Sequence, residues 1–153
     1  MFRSTLWCLL SILAGLLLPS CQPGKKNTPR TGPRPLEILF LGHDSEHHPS
    51  ANYMPLLASV LSKEGIKFTY TNNTDDLNDN TLSQYDGLMV YANHTEIKPE
   101  QEKALLDFVA RGNAFIPVHC ASFCFQNSSP YIDLVGAQFL KHDTATFVAS
   151  IIN

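Results

Sequence analysis

The segment that decides the fold is Ala114-Phe115-Ile116-Pro117-Val118-His119-Cys120-Ala121-Ser122. It is apolar for its first five residues and then becomes polar and small. A helix-like stretch over residues 99–111, ended by Gly112, precedes it. A helix, a glycine stop and a short buried strand are typical of an α/β sheet, which binds ligands at the carboxyl ends of its strands. We therefore predict His119 and Cys120, at the end of this strand, as catalytic residues.

The chain before this segment alternates between predicted strands and helices. Strands are predicted over residues 36–41, 66–70, 87–91 and 114–118, helices over 53–63 and 99–111, and short helices near 77–82 and 131–135. This spacing predicts an α/β fold: a parallel sheet in a three-layer, flavodoxin-like arrangement that is covered by helices on both faces. Because Pro117 lacks a ladder N–H, we expect either that the hydrogen bonding lapses locally or that the fourth strand lies near an edge.

The C-terminal part predicts one more strand. Residues 144–152 alternate and are rich in β-branched side chains, and the chain stops at Asn153 with nothing to cover this strand. We therefore expect a domain over residues 36–153 that is incomplete at its C-terminus.

The N-terminus is typical of an export signal. Arg3 precedes an almost continuous apolar run over residues 6–18, which is too short for an ordinary membrane span. The run ends in Leu18-Pro19-Ser20-Cys21, which is similar to the lipobox of bacterial lipoproteins. We predict a signal over residues 1–21, lipid attachment at Cys21 and anchoring to the bacterial cell envelope. The alternative is an ordinary signal peptide or a short N-terminal anchor helix. Residues 22–35, rich in proline and basic side chains, are a predicted flexible tether.

Composition excludes some function classes. The chain has 11 Lys and Arg against 14 Asp and Glu, a formal net charge of −3, and no basic patch, which argues against nucleic-acid binding. No Gly-rich phosphate loop follows the first strand, so a nucleotide site is not expected. Outside the N-terminal segment only Cys120 and Cys124 remain, and we predict two free thiols rather than a disulfide.

Histidines follow the predicted strands. All six lie in loops expected near the carboxyl edge of the sheet: His43, His47, His48, His94, His119 and His142. Histidine serves as acid, base or metal ligand at neutral pH. The clustering predicts one pocket, with substrate-binding residues His43, Asn93, His94, Ser122 and His142. Glu46 and His47 are predicted ligands of a divalent metal such as zinc.

The chain resembles the ThuA-like family, named for trehalose utilisation, from residue 36 to its end. The resemblance is carried by residues 38–43, 85–90, 102–112 and 115–119, and by residues 136–139 followed by His142. It implies a fold similar to class I glutamine amidotransferases. In those enzymes a cysteine occupies the strand-to-helix turn where this chain has His119, and Cys120 comes one residue later, so amidotransferase activity is not expected. The resemblance also implies a small-molecule carbohydrate ligand, including keto-sugars.

Three functions follow as hypotheses. The first is a sugar isomerase or hydrolase that uses His119 as its central acid, base or metal ligand. The second is a non-catalytic carbohydrate-binding or scaffolding module in which Tyr91, Phe123 and Phe125 stack on sugar rings. The third is a cysteine hydrolase that uses Cys120.

Overall fold

Four parallel strands form the sheet of this protein. A computed structural model describes residues 34–43 and 45–141. Its strands are β1 (Leu36–Leu41), β2 (Ile66–Thr71), β3 (Gly87–Val90) and β4 (Ala114–Pro117). Its helices are α1 (Ser50–Leu61), α2 (Asp79–Leu82), α3 (Pro99–Ala110) and α4 (Ser129–Val135). The strand order β2-β1-β3-β4, parallel throughout, confirms the predicted flavodoxin-like α/β sheet.

Alternating side chains of the strands pack against both faces of the sheet. Residues Leu39 and Leu41 of β1 belong to the core that includes Leu105 and Phe108 of α3 and Tyr131 of α4. On the opposite face the core consists of Ile38, Phe40 and Met89, with Met54 of α1 packed against it. The predicted three-layer arrangement is therefore confirmed, and in the described part of the chain β4 lies at one edge of the sheet, as Pro117 indicated.

Helix α1 begins earlier than the sequence pattern predicts. Its first turn is polar or small, so the apolar stripe becomes visible only at Tyr53 and Met54. At the other end the helix tightens into a 3₁₀ turn, Ser62–Glu64, and Gly65 stops it with φ = 76°. The early start places Ser50 directly after the loop that follows β1.

Ser50 fastens that loop to the end of β1. Its buried hydroxyl accepts a hydrogen bond from the N–H of His43 (2.7 Å) and donates one to the carbonyl of His43 (3.0 Å). The N–H of Ser50 also donates to the carbonyl of His48 (2.7 Å). Residues 43 and 48 are thus held to the same serine, which fixes both ends of the loop.

The folded part begins before the predicted boundary at residue 36. Arg34, which was predicted to belong to the tether, forms an ion pair with Asp86 at the start of β3. Asp86 also accepts a hydrogen bond from the N–H of Glu37 (2.9 Å). The arginine therefore contacts the sheet in this structure.

Several predictions lie outside the described residues. They are the export signal, Cys21, tether residues 22–33, His142 and the strand over residues 144–152. Within residues 34–43 and 45–141, no helix combines the length and apolar character needed to cross a membrane.

Candidate functional site

Loops that follow β1, β3 and β4 enclose a cleft at the carboxyl edge of the sheet. Its volume is about 320 Å³, and it is lined by Ser45, His47, His48, Asn93, His119, Cys120, Ser122, Phe123 and Phe139. Strands β1 and β3 are neighbours, and the strand order reverses between them. Ligands of open α/β sheets bind at this kind of switch point, so the position of the cleft agrees with a binding site.

Two histidines from different loops meet in the cleft. The imidazoles of His48 and His119 lie with ring centroids 4.7 Å apart and an interplanar angle of 74°. The pKa of His48 is lowered below its ordinary value of 6.5, mainly by burial and to a smaller extent by repulsion from the nearby His119 and His47. His48 is therefore mainly neutral at pH 7 and has a free nitrogen lone pair that can accept a proton.

The backbone of His119 is unusual. This residue follows β4 by two positions and opens the 3₁₀ turn His119–Phe123 with φ = 47°. A positive φ costs a side-chain-bearing residue about 1–2 kcal/mol, and such conformations concentrate at functional sites. The strained turn directs the chain away from the strand end and places His119 beside His48.

Asn93 supplies an unpaired acceptor at the cleft. Its Oδ1 atom is buried and has no hydrogen-bond partner among the described residues. A buried polar atom without a partner costs about 1–3 kcal/mol. Because Asn93 also lines the cleft, a rotation of its amide would present Oδ1 to a ligand hydroxyl and remove this cost, so the cleft is suited to a ligand that carries hydroxyl groups.

Cys120 lines the cleft, but its chemistry does not favour a nucleophile. Both Cys120 and Cys124 are buried free thiols, as predicted. Burial raises the pKa of Cys120 to about 11 and that of Cys124 to about 12. The Cys124 thiol donates a hydrogen bond to the carbonyl of Ala92 (2.7 Å). Because the thiolate is the reactive form, protonated thiols at neutral pH weaken the hypothesis of a cysteine hydrolase.

An aromatic pair forms another wall of the cleft. The rings of Phe123 and Phe139 are in edge-to-face contact with centroids 6.0 Å apart. The N–H of Phe139 donates to the carbonyl of Ser122 (2.9 Å), which holds the later segment against the turn after β4. Aromatic walls with a few polar groups are typical of small-molecule sites.

The hypothesis that Phe125 stacks on a sugar is wrong. Its side chain is fully buried, and its ring packs edge-on against Tyr131 with centroids 4.9 Å apart. The N–H of Phe125 donates to the carbonyl of His94 (2.7 Å), which joins this segment to the loop after β3. Phe125 is a core residue and is not available to a ligand.

His43 and His94 form a second pair that does not line the cleft. Their rings meet edge to face with centroids 4.8 Å apart. The Nε2 atom of His94 lies 3.1 Å from the carbonyl oxygen of Gly42, to which it donates in the matching tautomer. Burial, together with His43, lowers the pKa of His94. The structure therefore brings His47, His48 and His119 together at the cleft and places His43 and His94 apart from them.

The predicted metal ligands separate as well. His47 lines the cleft, whereas Glu46 is exposed and does not. In the described ranges no group of three or more His, Cys, Asp or Glu side chains is arranged to hold a metal ion. Three lining residues were not assigned a role from the sequence. They are Ser45 and His48, whose signal was their place in the loop with His47, and Phe139, which lies in the pattern over residues 136–139.

Comparisons with known proteins agree with the fold. Residues 37–153 match the family described as "ThuA: Trehalose utilisation". A ThuA-like protein from Bacteroides uniformis ATCC 8492 has a similar crystal structure, with a TM-score of 0.55 and 13% identity over 74% of this chain and 48% of that one. A ThuA-like protein from Parabacteroides merdae ATCC 43184 is also similar in structure, with a TM-score of 0.53 and 13% identity over 64% of this chain and 37% of that one. The chain thus spans half or less of these relatives. No curated protein matches it.

Proposed function

Because the chain belongs to the ThuA family, described as trehalose utilisation, we propose that its cleft binds a sugar and acts on it by acid–base chemistry. The family links the domain to carbohydrate metabolism. The ligand is a trehalose-type sugar or its keto form.

One observation carries the proposal: the unpaired, buried Oδ1 atom of Asn93 in a cleft with an aromatic wall. The acceptor matches a sugar hydroxyl, and the ring faces of Phe123 and Phe139 match the apolar C–H face of a pyranose. The hydroxyl of Ser122, which lines the same cleft and donates to the carbonyl of His119 (3.2 Å), can accept a further hydrogen bond from a ligand hydroxyl.

The imidazole pair supplies the chemistry. A neutral His48 accepts a proton from a carbon beside the sugar carbonyl, and His119 gives a proton to the carbonyl oxygen, which yields an enediol. His48 then returns its proton to the former carbonyl carbon, and His119 takes the proton of the neighbouring enediol hydroxyl, whose oxygen becomes the new carbonyl. Both imidazoles are restored, so no co-reactant is consumed. A divalent ion at Glu46 and His47 stays a prediction, and none of these steps uses one.

The test is turnover of 3-keto-trehalose by the full chain and by His119→Ala, with binding of trehalose measured by calorimetry for each. We expect at least a hundredfold lower turnover in His119→Ala, the usual contribution of a positioned acid–base group. Leu56→Ala, an exposed change on α1, is the control and should behave as the wild type. Equal turnover by the wild type and His119→Ala would refute the acid–base role.

A non-catalytic binding module is the second candidate function. The unpaired Asn93 Oδ1 favours it equally, because a binding site also needs that acceptor filled. The same experiment separates the two candidates: sugar binding without turnover by the wild type assigns the module. The absence of both binding and turnover would end the proposal of a sugar site.

Attachment to the cell envelope through Cys21 is part of the proposal and is supported by the lipobox-like residues 18–21. Cys21→Ala is expected to move the protein from the membrane fraction to the soluble fraction of the expressing bacterium. Cys120→Ala, which leaves the N-terminal segment intact, is the matched cysteine control. Unchanged fractionation and unchanged electrophoretic mobility of Cys21→Ala would contradict lipid attachment.

A further inference from the structure

We infer that a second sugar subsite adjoins the cleft, on the aromatic pair formed by Tyr53 and Tyr91. This inference rests on the proposed function and deepens it. It assigns a sugar ring to a surface outside the residues that line the cleft, so the complete site takes a ligand of at least two rings.

The two tyrosines continue the row of rings that begins in the cleft. Tyr91 follows β3, and its ring centroid lies 6.2 Å from that of His119 and 6.3 Å from that of His48. Tyr53, in the first turn of α1, lies 5.8 Å further along, ring to ring. Since His48 and His119 line the cleft and both contact Tyr91, the imidazole pair connects the cleft to the tyrosine pair.

The tyrosines are equipped to hold a sugar ring. The side chain of Tyr53 is 43% exposed. In the described part of the chain neither phenol hydroxyl makes a hydrogen bond with another side chain or the backbone. Burial raises the pKa of Tyr91, so its hydroxyl keeps its proton and can donate. A flat apolar face with a free hydroxyl at its rim suits a pyranose, which has both C–H faces and hydroxyls.

The position of the tyrosine pair beside the cleft points the same way. A disaccharide whose first ring contacts His48 and His119 has its second ring within reach of Tyr91, since the ring centroids of Tyr91 and His119 lie 6.2 Å apart. The tyrosine pair is the aromatic surface next to those histidines, and an isolated exposed tyrosine elsewhere would carry no such meaning.

The experiment compares glucose, with one ring, and trehalose, with two, by calorimetry on the full chain. Wild-type protein should bind trehalose about tenfold more tightly than glucose, because a second ring adds buried apolar area. Tyr53→Ala should bring the two affinities together while leaving glucose binding unchanged. Tyr53→Phe retains the ring and should keep most of the difference, and Leu56→Ala, exposed on the same helix, should keep all of it.

The outcomes are distinct. Equal binding of glucose and trehalose by the wild type, or an unchanged ratio in Tyr53→Ala, would overturn the second subsite and leave the cleft intact. Binding of neither sugar would overturn the proposed function and this inference together. If Tyr53→Ala fails to fold, saturation transfer from the protein's tyrosine ring protons to the unoxidised ring of 3-keto-trehalose decides the question in His119→Ala, which should not turn this sugar over: transfer is expected, and its absence contradicts the subsite.

Discussion

Replacing Gly42 with alanine is expected to lower the free energy of unfolding by about 3 kcal/mol, from overpacking and the loss of the Ser50 hydrogen bonds. A Cβ atom at this position would lie 2.5 Å from Ser50 Oγ and 2.5 Å from the hydroxyl of Tyr70. Ser50 is fully buried and bonded to the backbone of His43, so it cannot move aside cheaply. Urea unfolding followed by circular dichroism measures the loss.

The matched control for that substitution is Gly65→Ala. Gly65 has φ = 76° but open space around its Cα, so alanine there meets backbone strain alone, worth about 1 kcal/mol. We expect Gly42→Ala to cost clearly more than Gly65→Ala and also to weaken sugar binding, since the displaced Ser50 holds the loop with His47 and His48. If the two variants lost the same free energy of unfolding, the space beside Gly42 would not be closed by Ser50 and Tyr70 as the structure indicates.

The contrast between the two glycines shows what the sequence could reveal about the fold. Glycine commonly marks the end of an element, and Gly42 and Gly65 each follow one directly: Gly42 comes after β1, and Gly65 comes after the 3₁₀ turn that ends α1. Only Gly42 is enclosed by side chains from elsewhere, namely Ser50 and Tyr70. Which distant residues fill the space beside a glycine depends on tertiary packing, which a periodicity pattern does not contain.

For the candidate site, too, the sequence could predict the local pattern but not the tertiary partners. Polar residues after apolar strands predicted correctly which loops meet, because parallel strands end at one edge. The partners within that edge were not predictable: His48 pairs with His119, while His43 pairs with His94. Residues 47 and 48 belong to the same loop, and the direction of each side chain depends on the loop backbone, which Ser50 holds through its hydrogen bonds to residues 43 and 48. Phe125 was misassigned for a related reason, since an aromatic residue in a loop can turn into the core.

Substitution of His119 by glycine is expected to separate the strain at the strand end from the function of the imidazole. Alanine and glycine both remove the ring, but alanine keeps a Cβ atom at φ = 47° whereas glycine adopts this conformation freely. His119→Gly should therefore be more stable than His119→Ala by about 1 kcal/mol. Both variants should lose turnover of 3-keto-trehalose to the same extent.

Thermal unfolding and turnover assays on the two variants test both halves of this expectation. If His119→Ala matched His119→Gly in stability, the turn after β4 would not be strained at this residue. If His119→Gly retained turnover, the imidazole would not be needed. The expected combination, a relaxed backbone together with lost activity, would mean that His119 occupies a costly backbone conformation in the same turn that places its ring 4.7 Å from that of His48. Local stability is then given up where the two imidazoles have to meet.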